Sequence, residues 1–277
     1  MTFHGVTMGA LKALAAFCLT ISVTAAAAQS LPKAPSLDDL EARGGFAHER
    51  GLYLRADLGV AWQQLGTRPS SIYNGLTGFH YNTLDIEATR PVGVGIGYRS
   101  SDLFRFDLTS EYRSRANIRT TPVYACGAST CSDPLTSDLR SLVTMLNGYF
   151  EIGSWHEVTP YVGMGLGLAH HRFGPVSIPA NAGNHGAATT DTRSRNRLAL
   201  SLMTGAAYDL SARVKLDMGY RYLYAGSLES GSFDCTANAT PSICNGGTQS
   251  LRVQSHELRV GLRVLLQETP GLMSFGR

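Results

Sequence analysis

Residues 198–224 read LALSLMTGAAYDLSARVKLDMGYRYLY, and their alternation decides the fold. Leu198, Leu200, Leu202, Thr204, Ala206, Tyr208 and Leu210 share one parity, and Ala199, Ser201, Met203, Gly205, Ala207 and Asp209 share the other. After Ser211-Ala212-Arg213 the pattern resumes, with Val214, Leu216, Met218, Tyr220 and Tyr222 opposed to Lys215, Asp217, Gly219, Arg221 and Leu223. Side chains alternate across a strand, so the stretch is a hairpin with one apolar face and one small or charged face. Taken alone, it leaves open which face meets water.

The same two-faced pattern recurs on both sides of the hairpin. From Gly51, Leu52, Leu54, Ala56, Leu58, Val60 and Trp62 oppose Tyr53, Arg55, Asp57, Gly59 and Gln63. Further strands are expected at 88–99, 103–113, 140–152, 158–171 and 253–266, each setting aliphatic and aromatic residues against glycines and charges. That makes eight strands. Long polar segments (65–87, 114–139, 172–196 and 225–252) alternate strictly with short ones (100–102, 153–157 and 211–213). Such alternation gathers all short turns at one rim and all long loops at the other.

Composition narrows the classes. The chain has 277 residues, 16% of them charged, 30 glycines and a net charge of +3. Its mean hydropathy of -0.05 is too polar for a helical membrane bundle. Acidic and basic residues are interleaved along the strands, with no basic patch of the kind nucleic acid requires. At the N-terminus, His4 and Lys12 precede an apolar run, Ala13–Val23, which ends in Ala25-Ala26-Ala27-Ala28-Gln29. This is the pattern of a secretory signal peptide, expected over 1–28 and followed by a linker over 29–50. Apart from Cys18, the cysteines fall as two close pairs, Cys126/Cys131 and Cys235/Cys244, each inside a turn-rich segment. In an exported protein, two loop-closing disulfides are expected; a four-cysteine zinc site would lack the tight knuckle spacing.

The charged parity decides which face is inside. Arg55/Asp57, Arg105/Asp107/Glu111/Arg113, Lys215/Asp217/Arg221 and Glu257/Arg259/Arg263 are mutually neutralising sets beside glycines. An eight-stranded barrel has an interior just wide enough for side chains, which suits such sets. The apolar parity carries Tyr98, Tyr112, Tyr208 and Tyr222 toward strand ends, as membrane-interface girdles do. The expected fold is therefore all-β, an eight-stranded antiparallel up-and-down transmembrane barrel over 51–266, with four long outer loops and three short periplasmic turns. A closed barrel satisfies every backbone polar group without water.

The signal peptide, FRFDLTSEYR (104–113), TPYVGMGLGLA (159–169), GAAYDLSARVKLDMGYRYL (205–223) and HELRVGLRVLL (256–266) together resemble the small outer-membrane β-barrel family. More narrowly, the chain resembles the opacity-type and Brucella/rhizobial-type surface proteins. The resemblance implies a Gram-negative outer membrane with its lipid and lipopolysaccharide, insertion by the barrel-assembly machinery, and surface loops free to meet an extracellular ligand or host surface. The chain departs from that family at the last strand, which ends in Leu265-Leu266 rather than an aromatic residue and is followed by a tail, 267–277.

No nucleophile elbow, phosphate loop or close metal-ligand set appears, and no cofactor is expected. His170 and His171 are adjacent and so point to opposite faces of a strand. A lipid-modifying enzyme would need a rim Ser/His pair, for which His171 with Ser177 or Ser194 could be drawn up, as could any polar loop. The interior charges allow a plugged lumen or a narrow ion path; at eight strands plugging is favoured. Loop 225–252, with Phe233 and Ile243 beside the second cysteine pair, is the best candidate contact surface. The expected function is non-enzymatic: a surface protein that supports the envelope and presents its loops. A small porin is the second reading and a lipid-modifying enzyme a remote third.

Overall fold

A computed structural model describes residues 50–68, 71–73, 75–155, 157–179, 187–235 and 247–266. The expected signal peptide, the linker up to residue 49 and the tail 267–277 lie outside the described residues, as does Ile243. The strands are β1 (Gly51–Thr67), β2 (His80–Ile86), β3 (Val92–Arg99), β4 (Phe104–Cys126), β5 (Ser129–Ser132), β6 (Leu135–Glu151) and β7 (Val158–Phe173). They continue with β8 (Ser177–Ile178), β9 (Ala188–Thr190), β10 (Arg193–Asp209), β11 (Val214–Glu229), β12 (Phe233–Cys235) and β13 (Ser250–Leu265).

Eight of them close a ring in the order β1-β3-β4-β6-β7-β10-β11-β13 and back to β1, every pairing antiparallel. The opening hairpin is β10–β11, with Leu202 opposite Tyr222, Gly205 opposite Gly219 and Tyr208 opposite Leu216. Its assigned faces hold: Leu198, Leu202 and Met218 are more than 45% exposed, whereas Ala199, Ala207, Asp217 and Arg221 are buried. The exposed set continues around the ring through Leu58, Val94, Phe106, Leu146, Met164 and Leu262. For a protein in water so large a bare apolar surface would be an aggregation hazard; in a bilayer it is the solvent-matched face.

The ring is taller than the sequence pattern implies. β1, β6 and β10 each have 17 residues and β4 has 23. A 17-residue strand is roughly 55 Å long, and at the usual tilt it rises well beyond an apolar band of about 25 Å. Much of the three segments expected as polar loops over 65–87, 114–139 and 172–196 is therefore strand. β2 continues the column of β3: both pair with β4, at Ile118–Val123 and Arg105–Tyr112 respectively. Between them Pro91, which has no N–H to give a ladder, makes a jog, yet β1 still pairs through Gly59 to the Pro91 carbonyl (3.0 Å) and Ala61 with Thr89 (2.9 Å). β8, β9 and β12 form a small sheet above the ring, joined to it where Ser177 meets Thr136 of β6.

Above the apolar belt the filling inverts. A β-bulge between Arg113 and Ala116 inserts one extra residue in β4. Strict alternation from Arg113 would turn Arg115, Asn117 and Arg119 inward; the bulge turns Ala116 and Ile118 inward instead, each at most 2% exposed. They join Leu135, Leu139, Val143, Phe173, Ile178, Leu228 and Val253 in one apolar core inside the upper ring.

Candidate functional site: the filled lumen and the crown

The lower lumen is built from the inward residues of the belt strands. Arg105 is fully buried, with Nε 2.9 Å from Glu151 and Nη2 3.6 Å from Asp217. Arg263 bridges the same two carboxylates at 3.3 and 3.2 Å, and Arg99 adds a third cation to Glu151 at 3.0 Å. Arg55 lies 2.6 Å from both Asp57 and Asp107. Toward the crown, Glu111 and Glu257 share Arg221 at 2.6 Å each, and Arg113 pairs with the same two carboxylates at 2.7 and 2.5 Å. Arg259 joins Glu111 (2.9 Å) to Asp57 (3.8 Å) and Arg105 reaches Asp107 (3.6 Å), which links the three groups into one network.

Eleven of the twelve charges singled out from the sequence meet in this network. Lys215 does not: it pairs with Asp209 at 2.9 Å at the short-turn rim. Glu151 and Arg99 are members that alternation placed on the inward parity without marking as partners. Three tyrosines complete the packing. The Arg105 guanidinium lies 3.7 Å from the ring centre of Tyr149 and 4.9 Å from that of Tyr161, and the Tyr53 hydroxyl donates to Asp107 (3.1 Å). Their rings sit where glycines leave room: a Cβ on Gly97 would overlap the Tyr53 ring, and one on Gly163 would come within 2.7 Å of the Tyr149 ring. A cavity against Arg55, Tyr149, Tyr161, Asp217 and Arg221 leaves only ≈ 20 Å³ for the centres of water molecules, room for about one or two.

His171 stands at the boundary between charged and apolar filling. It is 2% exposed, donates through Nε2 to the Ala225 carbonyl (2.7 Å), and its Nδ1 lies 2.7 Å from the Ser141 hydroxyl. Ala225 precedes Gly226 (φ 81°), at the bulge between Tyr224 and Ser227, so the histidine caps a carbonyl that the bulge releases from the ladder. Thus His171 partners Ser141, not Ser177 or Ser194. His170 points outward to Asn196 (2.7 Å).

In the crown, Tyr73 stacks on Phe79 (centroids 4.5 Å apart), and the Tyr124 hydroxyl donates to Asp133 (2.8 Å). Burial, then the bond to the Asp133 carboxylate, pushes the Tyr124 phenol well above its ordinary range. Phe233, expected in a contact surface, is 3% exposed and belongs to the apolar core: it faces inward from β12, beneath the crown. Cys131 is disulfide-bonded and pairs with Tyr124 across the β4–β5 hairpin. The side chains of Cys126 and Cys235, and all of Cys244, lie outside the described residues. The four outer tyrosines divide between the rims, Tyr98 and Tyr208 beside the short turns and Tyr112 and Tyr222 at the upper edge. Trp62, His256, Tyr220 and Tyr222 extend that upper edge, with the Tyr220 hydroxyl 2.6 Å from His256.

Known proteins agree with this architecture. An uncharacterized protein of Brucella suis is 30% identical over 195 residues, 62% of this chain and 67% of its own length. A putative adhesin of Rickettsia typhi is 26% identical, across 76% of this chain and 86% of the adhesin. The crystal structure of the outer membrane protein OprG from Pseudomonas aeruginosa shares the fold at a TM-score of 0.50 and 13% identity, covering 79% of this chain and 98% of OprG. The sequence model of the outer membrane protein beta-barrel domain matches residues 13–263. With that match and a closed eight-stranded ring, the chain belongs to the outer membrane protein β-barrel domain family and resides in the outer membrane of a Gram-negative cell.

Proposed function

We propose that this protein is a non-conducting, non-enzymatic surface barrel that holds its crown clear of the outer leaflet for contact with another surface. The observation that carries the reading is the change of filling along one ring. Ion pairs occupy the belt, and above it an apolar core makes the strands a solid stalk rather than a vestibule. A stalk without a passage suits display better than transport, and the likeness to a putative Rickettsia adhesin supports display as the use. Outer-leaflet lipid and lipopolysaccharide surround the belt in this reading, and the barrel-assembly machinery inserts it. Cys126–Cys131 and Cys235–Cys244 disulfides brace the crown hairpins. Iodoacetamide should then label none of these four cysteines before reduction.

Two measurements test the proposal. In planar bilayers the purified protein should give no stable single-channel steps; reproducible ion-selective steps would favour the porin reading. Bacteria expressing the full chain should adhere to cultured host cells above a deletion strain. Replacing residues 179–187 with a short turn, which keeps Ile178 and Ala188 of the apolar core, should remove that gain while the barrel keeps its heat-modifiable mobility. Adherence unchanged by the replacement would sink the display role.

A further inference from the structure

On the outer face of β6 and β7, immediately above the lipid-facing belt, two arginines stand directly opposite each other. Leu142 and Leu168 are the uppermost exposed apolar residues there, 45% and 57% exposed. The next outward pairs in the ladder are Leu142 with His170 and then Arg140 with Arg172. Directly opposed residues hold their Cβ atoms about 4.5–5.5 Å apart, and like charges so placed destabilise a sheet. Among the described residues nothing offsets them: Arg140 and Arg172 make no ion pair and no side-chain hydrogen bond. The nearby outward carboxylate, Asp138, lies 3.3 Å from Arg115. His170 has its Nδ1 engaged by Asn196, which leaves Nε2 free beside the pair.

From this arrangement we infer a binding site for the phosphorylated headgroup of an outer-leaflet glycolipid, lipid A, formed by Arg140 and Arg172 with His170 beneath them. Two planar guanidinium forks match a phosphate group in charge and geometry. The continuous apolar surface below, through Leu142, Leu168 and Leu166, receives the acyl chains of the same molecule, which is why the site takes a membrane-anchored phosphate rather than a soluble one. The bound anion supplies the countercharge that the sheet lacks. The inference rests on the outer-membrane placement and not on the display role, so loss of adherence would leave it untouched.

The test titrates the full-length protein, in phosphatidylcholine–detergent micelles, with bisphosphorylated lipid A and counts bound lipid by native mass spectrometry. Wild type should retain one tightly held lipid A. Arg140→Gln/Arg172→Gln should bind it on the order of tenfold more weakly, and lipid A stripped of phosphate should bind wild type as weakly. Arg252→Gln, at an exposed arginine on the outer face of β13, should bind as wild type does. Heat-modifiable mobility confirms that each variant is folded. Equal retention by wild type and the double variant would overturn the site, and so would retention of the dephosphorylated lipid. Displacement by inorganic pyrophosphate at matching concentration would overturn the commitment to lipid, since it would mean that the acyl chains contribute nothing.

Discussion

At the scale of single residues, the lumen works by matching ring to gap. Tyr53 lies over Gly97, Tyr149 against Gly163, and the Tyr161 hydroxyl reaches the Gly205–Gly219 pair, where a Cβ on either glycine would stand 2.7 Å from it. These tyrosines in turn place a face or a hydroxyl against Arg105 and Asp107. A side chain at 97 therefore disturbs the ion pairs through the ring, with no charge altered. Gly97→Val should lower unfolding stability in liposomes by about 1–3 kcal/mol, the usual cost of overpacking. Gly148→Ala serves as the comparison, because a Cβ there meets only the Phe106 ring at an ordinary 3.4 Å. Equal urea midpoints for the two variants would show that the ring does not need its gap. Alternation alone revealed which residues face inward, but not that Glu151 would take three arginines, because partners on different strands are set by register and ring closure. The partner of His171 was out of reach for the same reason: Ser141 is its neighbour across the β6–β7 ladder and is 30 residues away in the chain.

At the scale of elements, the bulge in β4 accounts for most of what sequence patterning could not reach. The hairpin β10–β11 was legible because its parity never changes between Ala199 and Leu223, and its turn is short. β4 keeps one parity through Arg113 and the other from Ala116, so a window spanning both looks aperiodic and polar, as a loop does. Outward Arg115, Asn117, Arg119 and Thr121 reinforce that appearance because the strand there has left the lipid for water. Two single-residue deletions separate a bulge from a loop. Removing Ser114 takes out the extra residue while Arg113, Ala116 and Ile118 all stay inward, so the protein should still fold. Removing Asn117 leaves the bulge in place and turns Ile118 outward and Arg119 into the apolar core, and folded yield should collapse. Gel mobility before and after heating reads both; equal tolerance of the two deletions would mean that residues 114–123 have no fixed register.

For the whole molecule, the belt and the stalk depend on different physics, and salt can tell them apart. Apart from the half-buried Arg99 and Arg259, the arginines and carboxylates of the belt are buried, the side chains of Arg105 and Glu257 completely, so mobile ions cannot enter between them. Raising salt from about 0.1 to about 1 M shortens the Debye length from ~10 to ~3 Å, but only for charges that water reaches. Stability of the reconstituted barrel should therefore be nearly flat over this range. Arg105→Met would strand Glu151 and Asp217 against fewer cations, at a cost of about 3–5 kcal/mol, and added salt should not restore it because the same burial keeps ions out. A water-filled path through the lumen would behave otherwise. Its charges would already be screened, the substitution would cost little, and wild-type stability would drift with ionic strength. Urea unfolding of wild type and Arg105→Met in liposomes at both salt concentrations distinguishes these cases. A salt-dependent wild type together with a salt-rescued variant would mean that the ion pairs line a channel instead of closing one.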